Sequence, residues 1–265
     1  MSAPFLHQID WQRPWLAVIR HAADPIISAV DWCDALNEAA SAIYLRNHRD
    51  LPIQFVPQSD LPEGYAYEAF ISDTGGVPTR DNLHDFFNAL VWLTFPRIKV
   101  QLNALQAAAI FKSLQTSPMI GAHRGKLRDG ATIFDENAAL LVTSDATLIN
   151  ALREHQWEEV FLARRDVFGT TAEVYLFGHA LMEKLVSPFK AITAHVWMVV
   201  VEPDFFSLTK DTKLAWIDAA VAQQLANGLA TSDFSPLPVL GVPGWWEQQN
   251  QAFYDDASVF RPKRR

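Results

Sequence analysis

The chain has 265 residues, 49% of them hydrophobic and 20% charged, with a formal net charge of −8. That length allows one large domain or two small ones, and the composition is that of a globular chain with a core rather than a disordered one. The negative balance speaks against a sequence-independent nucleic-acid binder, which neutralises phosphates with Lys and Arg.

Met1 to Asp10 lacks a basic segment followed by an apolar one, so no signal peptide is expected and the chain reads as cytoplasmic. After a Trp-rich start (Trp11, Pro14, Trp15), apolar positions recurring at three and four predict a helix over 28–46. The single cysteine, Cys33, lies in it; it can form no intrachain disulfide, and its apolar surroundings suit a buried, inert thiol. Residues 52–56 alternate like a short strand, and 65–71 suit either a second strand or a helix start. Asp73 to Pro78 has the chemistry of a loop. Helices follow at about 81–93 and 97–115, with Pro96 marking the corner between them.

Residues 116–130 read as a loop rich in glycine and cations. Residues 131–134 and 138–142 then read as two strands of a hairpin whose tip is Asp135-Glu136-Asn137. Helices are expected near 145–154 and 156–163, a strand over 173–177 and a helix over 179–186. The run 194–201, rich in β-branched residues, predicts a strand buried on both faces. The stretch Ala191 to Val201, interrupted by His195, is too short to cross a bilayer as a helix, so no membrane partner is expected. A helix at 213–226 precedes a Pro- and Gly-rich aromatic belt at about 228–265, which ends in a basic run read as solvated. With no repeat, linker or composition break, the expected architecture is a helix-rich, single-domain α+β protein with a small, mainly antiparallel sheet.

Four places could carry chemistry. On the helix at 81–93, Leu83, Phe86, Phe87 and Leu90 share an apolar arc, whereas His84, Asp85, Asn88 and Trp92 fall opposite it. Imidazole, carboxylate and amide so placed could orient a water, bind a metal or read a polar ligand, with Arg80 close by; a solvated face with Asp81 as N-cap is the plainer alternative. The loop 121–130 gathers His123, Arg124, Lys126 and Arg128, suited to a phosphate or carboxylate, or simply exposed; its spacing is not that of a Walker A loop. Asp135 and Glu136 could serve as a general base or metal ligands, or pair with Arg124 and Arg128. His179 and Glu183, four apart on one helix, have workable metal-ligand spacing but lack the second His of a zincin helix. His195 reads as a satisfied core histidine. The commonest hydrolase, zinc and dinucleotide signatures are missing.

Val77 to Trp92, Phe95-Pro-Arg-Ile-Lys99 with Leu102-Asn103, Leu127-Arg-Asp129 with Phe134-Asp-Glu136, Gly178 to Lys184 and the ending Phe253-Tyr-Asp-Asp with Phe260-Arg-Pro262 together resemble an uncharacterised proteobacterial family, domain of unknown function 3025. The resemblance spans most of the chain and implies a bacterial cytosolic protein. It assigns no activity and no residue a role. Gly75 to Leu83 followed by Asn88 is faintly similar to the second half of an HNH nuclease motif. That motif needs a preceding His, which residues 50–78 lack, and the net charge opposes the reading. The leading expectation is a hydrolase or group transferase acting on a small anionic substrate. Arg80, Arg124, Arg128 and Trp92 would bind it, His84, Asp85, Asn88, Asp135 and Glu136 would carry the chemistry, and a divalent metal at His179 and Glu183 is a compatible cofactor. The alternative is a non-enzymatic binding or scaffold protein that uses the aromatic belt (Trp245, Trp246, Phe253, Tyr254) as its surface.

Overall fold

In the computed structural model, residues 4–116 and 125–263 are described. The chain is rich in helix: α1 (Arg20–Ile27), α2 (Trp32–Ala42), α3 (Tyr67–Thr74), α4 (Leu83–Thr94), α5 (Pro96–Thr116), α6 (Lys126–Asn137), α7 (Ala146–Arg153), α8 (His179–Lys184), α9 (Lys210–Leu225) and α10 (Gln251–Tyr254). Two sheets accompany them. β1 (Gln54–Pro57) and β2 (Gly76–Thr79) pair in parallel; β3 (Ala138–Thr143), β4 (Ala172–Leu176), β5 (Thr193–Val200) and β6 (Ser235–Pro238) form a sheet in the order β4-β3-β5-β6. In the larger sheet β3 and β5 run parallel, while β4 and β6 flank them antiparallel. This is a helix-rich α+β fold.

The strand buried on both faces is β3, all six residues of which are inside. β5 was expected there instead, but it alternates. Ala194, Val196 and Val199 are buried, whereas His195, Trp197 and Met198 are only half-buried and Thr193 and Val200 are exposed. A mixed sheet with β3 at its centre places the most apolar run, Ala-Ala-Leu-Leu-Val, where both faces are covered.

The hairpin over 131–142 is not present. Its first half belongs to α6, where Leu127, Gly130, Ala131, Phe134 and Asp135 recur at helical spacing on the inward face, and Phe134 packs against Phe177 and Trp197. Residues 126–130, expected in a loop, form the first turn of the same helix.

Two connections set up the site. Asn82, not Asp81, caps α4 by accepting the backbone N–H of Asp85 at 2.8 Å, and Asp81 instead accepts from Trp32 Nε1. The N-terminus of α5 is capped from a distance, because Asp218 on α9 accepts the N–H groups of Arg97 and Ile98 at 3.0 and 2.9 Å. α4 packs on α8, and α5 packs on α3, α6 and α9, so α3, α4, α5, α6 and α8 bring polar side chains to one place. The C-terminal belt is an ordered cover: Tyr254 and Phe260 are buried, and Trp245, Trp246 and Phe253 pack half-buried on the core. Among the described residues no helix is long and apolar enough to cross a membrane.

Candidate functional site

The arc of α4 that carries His84, Asp85, Asn88 and Trp92 faces inward, because α8 and α5 close over it. Facing it, α8 starts at His179 immediately after Gly178. A methyl group at Gly178 would lie 2.5 Å from Asn137 N and Glu136 O, so only glycine lets α8 approach the end of α6 this closely. That approach sets His179 beside Asp135.

The result is a chain of contacts between side chains distant in sequence. Glu183 Oε2 lies 2.8 Å from His84 Nδ1, and His84 Nε2 lies 3.0 Å from His179 Nε2, the two rings nearly perpendicular at 82°. His179 Nδ1 faces Asp135 Oδ2 at 3.9 Å, too far for a hydrogen bond. Lys99 Nζ donates to Asp135 Oδ1 at 2.5 Å and to Asn88 Oδ1 at 2.8 Å, and Asn88 Nδ2 donates to the Tyr67 hydroxyl at 3.1 Å. Beside it, Asn103 Nδ2 donates to Glu68 Oε2 at 2.7 Å.

The chain has a wet end and a dry end. Side-chain exposure is 41% at Glu183 and 32% at His84, but 6% at His179 and 5% at Lys99. Burial pushes the His179 imidazole down to about 4, against the pull of Asp135, so the inner ring is neutral at pH 7. Burial acts to raise the Asp135 carboxyl, but the Lys99 ammonium, by its charge and its hydrogen bond, outweighs it and holds the group below the usual carboxylate range. Burial, with Asp135 nearby, raises Glu68, and burial lifts the Tyr67 phenol well above its ordinary value. His179 Nδ1, Trp92 Nε1, Asn103 Oδ1 and Arg128 Nε are buried and find no hydrogen-bond partner among the described residues. Such atoms are rare in native interiors.

Of the residues singled out in sequence, His84, Asn88, Asp135, His179 and Glu183 come together. Asp85 is buried at the edge of the group and serves Arg80: its carboxylate accepts the Arg80 backbone N–H at 2.7 Å and two guanidinium N–H groups at 2.9 and 3.1 Å. Arg80 keeps more than half its side chain exposed. Trp92 lines no surface for a substrate; it is buried, and the Lys99 ammonium sits 5.1 Å from its ring centre. Glu136 is exposed on the outer side of α6, since a helix turns consecutive carboxylates apart where a hairpin tip would have kept them together. Arg128 is not on a loop but in the first turn of α6, with its charge felt at Glu68. Arg124 lies outside the described residues, as does His123. His179 and Glu183 do not act as a joint pair of donors: Glu183 is turned onto His84, and no group of three His, Cys, Asp or Glu among the described residues is arranged to hold a metal. His195 is half-buried, with Nδ1 3.0 Å from Asn137 Nδ2.

Sequence reasoning missed Lys99, Tyr67, Glu68 and Asn103. The signal was present in α5, where Lys99, Asn103 and Gln106 recur at i, i+4 and i+7 and all three are buried. Among the described residues, Trp245, Trp246, Phe253 and Tyr254 of the belt are not among the exposed large hydrophobics, whereas Tyr65, Phe111 and Leu114 are exposed and line a groove of about 1060 Å³ between α3 and α5.

Fold and site together define a helix-rich α+β protein with a histidine pair held between two carboxylates. A family model described as a protein of unknown function (DUF3025) matches residues 53–264, and the chain belongs to that family. Every residue of the polar chain falls within the matched span. No curated protein and no solved structure matches the chain.

Proposed function

We propose that the chain is an enzyme, a hydrolase or group transferase, acting on a small anionic substrate at the wet end of this polar chain. The observation that carries the reading is the 3.0 Å contact between His84 and His179, with Glu183 hydrogen-bonded to the other nitrogen of His84 and the Asp135 carboxylate 3.9 Å from that of His179. Histidines far apart in sequence and held this way form a fixed, preorganised group of the kind that activates a water or a hydroxyl. The exposed guanidinium of Arg80, already oriented by Asp85, would hold the anion; Arg128 is half-buried in the first turn of α6, where its charge is felt at Glu68. Lys99, Asn88 and Tyr67 brace the floor beneath the histidines.

A small molecule rather than a nucleic acid is favoured by the net charge of −8. A cytoplasmic setting belongs to the same reading, supported by a single cysteine that can form no intrachain disulfide.

The test is turnover of aryl phosphates, aryl carboxylates and small acyl thioesters by the purified chain. Arg80→Leu should raise KM for the best of them by about tenfold, the loss of one charge-assisted contact, with less effect on kcat. Absence of turnover across all three classes contradicts the proposal.

A further inference from the structure

We propose that the groove between α3 and α5 receives a second copy of this chain, the α5 helices of the two copies packing antiparallel about a two-fold axis near Ala109. None of the residues lining the groove belongs to the polar chain that holds His84 and His179, so the surface is independent of the enzymatic reading.

Along α5 the residues that face the groove change in size. Ala104, Ala107 and Ala108 come first, then Phe111 and Leu114, at a spacing of three and four that keeps them on one stripe of the helix. Phe111 and Leu114 are each 66% exposed, and Tyr65, which also lines the groove, is 43% exposed. Across from them α3 contributes the small side chains of Ala69 and Ser72. A stripe that is small at one end and bulky at the other is complementary to itself when reversed. With a second α5 laid antiparallel, Ala107 faces Phe111 of the other copy and Ala104 faces Leu114. Each bulky side chain then meets an alanine, as interdigitating helices require, and the two-fold repeats every contact. A parallel pairing would instead set Phe111 against Phe111 and leave the alanines facing each other across a gap.

Area and charge support the same occupant. A large side chain carries about 150–250 Å² of surface, so Phe111, Leu114 and Tyr65 together leave about 300 Å² uncovered on each copy. Covering them, and an equal area of the groove they enter, on both copies removes about 1,200 Å² in all, the lower end of the range for specific interfaces. A concentration-dependent dimer is therefore expected rather than a permanent one. Two chains of net charge −8 repel each other wherever acidic surfaces meet. This groove carries none of that excess. Its charged lining residues are Arg49 and Asp73, which pair with each other, and the Tyr65 hydroxyl also donates to Asp73 at 2.6 Å. Burial lowers the His48 imidazole and so favours its neutral form. The groove thus offers apolar surface and balanced charge, which a second copy presents in turn.

Sedimentation velocity of the full-length chain over a wide range of concentration tests the surface. The mass is expected to rise from that of one chain, 29.8 kDa, to that of two. Phe111→Glu should stay monomeric with an unchanged circular dichroism spectrum, because the exposed ring can be replaced without opening the core. The register has its own check in a Cys33→Ser background. Mixing Ala107→Cys chains with Phe111→Cys chains under mild oxidation should give the mixed disulfide in excess over either homodisulfide, since only the mixed pair brings the two Cα atoms within bridging distance. The proposal is overturned if the wild type is monomeric at every concentration, if Phe111→Glu associates as the wild type does, or if the homodisulfides form as readily as the mixed one. A monomeric wild type that binds an apolar dye, with binding lost in Phe111→Glu, would assign the groove to a small apolar ligand and overturn it likewise.

Discussion

Lys99 Nζ lies 2.5 Å from Asp135 Oδ1, the two side chains 5% and 12% exposed, and this contact ties α5 to α6 directly beneath the histidines. Two charges so deep are tolerable only when each is satisfied, and here Asn88, Trp92 and His179 complete their surroundings. Removing one partner strands the other. Lys99→Met should destabilise the fold by about 3–5 kcal/mol in urea denaturation, and adding Asp135→Leu should recover part of that loss. Equal or greater loss in the double variant would contradict this account of the pair.

Gly178 sets the distance between α8 and α6. Gly178→Ala places a methyl group against Asn137 N and Glu136 O, so α8 must shift. A loss of about 1–3 kcal/mol is expected, from overpacking. The shift should also move His179 away from Asp135, visible as altered imidazole nitrogen resonances. Unchanged stability and resonances would show that the close approach is not needed.

Asp218 gives a pH signature. Burial raises its carboxyl to about 6 even though the N–H groups of Ile98 and Arg97 pull it down. A carboxyl raised in the folded state binds its proton more tightly there than in the unfolded chain. Its contribution is therefore complete below the ordinary carboxyl range and is lost as pH rises through about 6. The stability margin of the wild type over Asp218→Asn should shrink by up to about 3 kcal/mol between pH 4 and pH 7. A margin independent of pH would contradict the shift.

Gln249 is the hub of the C-terminal belt. Its buried side chain donates to the carbonyls of Leu240 and Val242 at 2.7 and 2.8 Å and accepts from Gly244 N and from Arg165. Gln249→Ala leaves these groups unsatisfied, and a loss of about 1–3 kcal/mol with faster proteolysis within residues 240–260 is expected. Proteolysis at the wild-type rate would mean the belt is anchored elsewhere.

Much of the helical frame is legible from periodicity: α2, α4, α5, α7 and α9 each carry an apolar stripe, and Pro96 marks the corner where α4 gives way to α5. α6 is not, because Thr132 and Ile133 are β-branched, Gly130 interrupts the helical pattern, and Asp135-Glu136-Asn137 has the composition of a turn. Burial of Leu127, Ala131 and Phe134 on one face overrides those local preferences. β2 hides behind Gly75 and Gly76, and β6 behind two prolines that an edge strand tolerates.

For the site, His84 with Asn88 and His179 with Glu183 are visible as pairs on their own helices, since stacking at i, i+4 is a local property. That the two pairs meet is not visible, because the contact spans 95 positions and depends on how α4 packs on α8. Lys99 was overlooked for a related reason. A lysine in a helix usually reads as solvated, and only the buried recurrence of Asn103 and Gln106 on the same face marks it as an interior charge.

The most direct test of the central claim, that the histidine pair is a catalytic centre, is the ratio of kcat/KM between wild type and His84→Ala on whichever small anionic substrate is turned over fastest. Circular dichroism should confirm that both are folded. A fall of about 10²–10⁴-fold is predicted. A ratio within about twofold, too small for the loss of an acid–base or ligand group, would contradict the account.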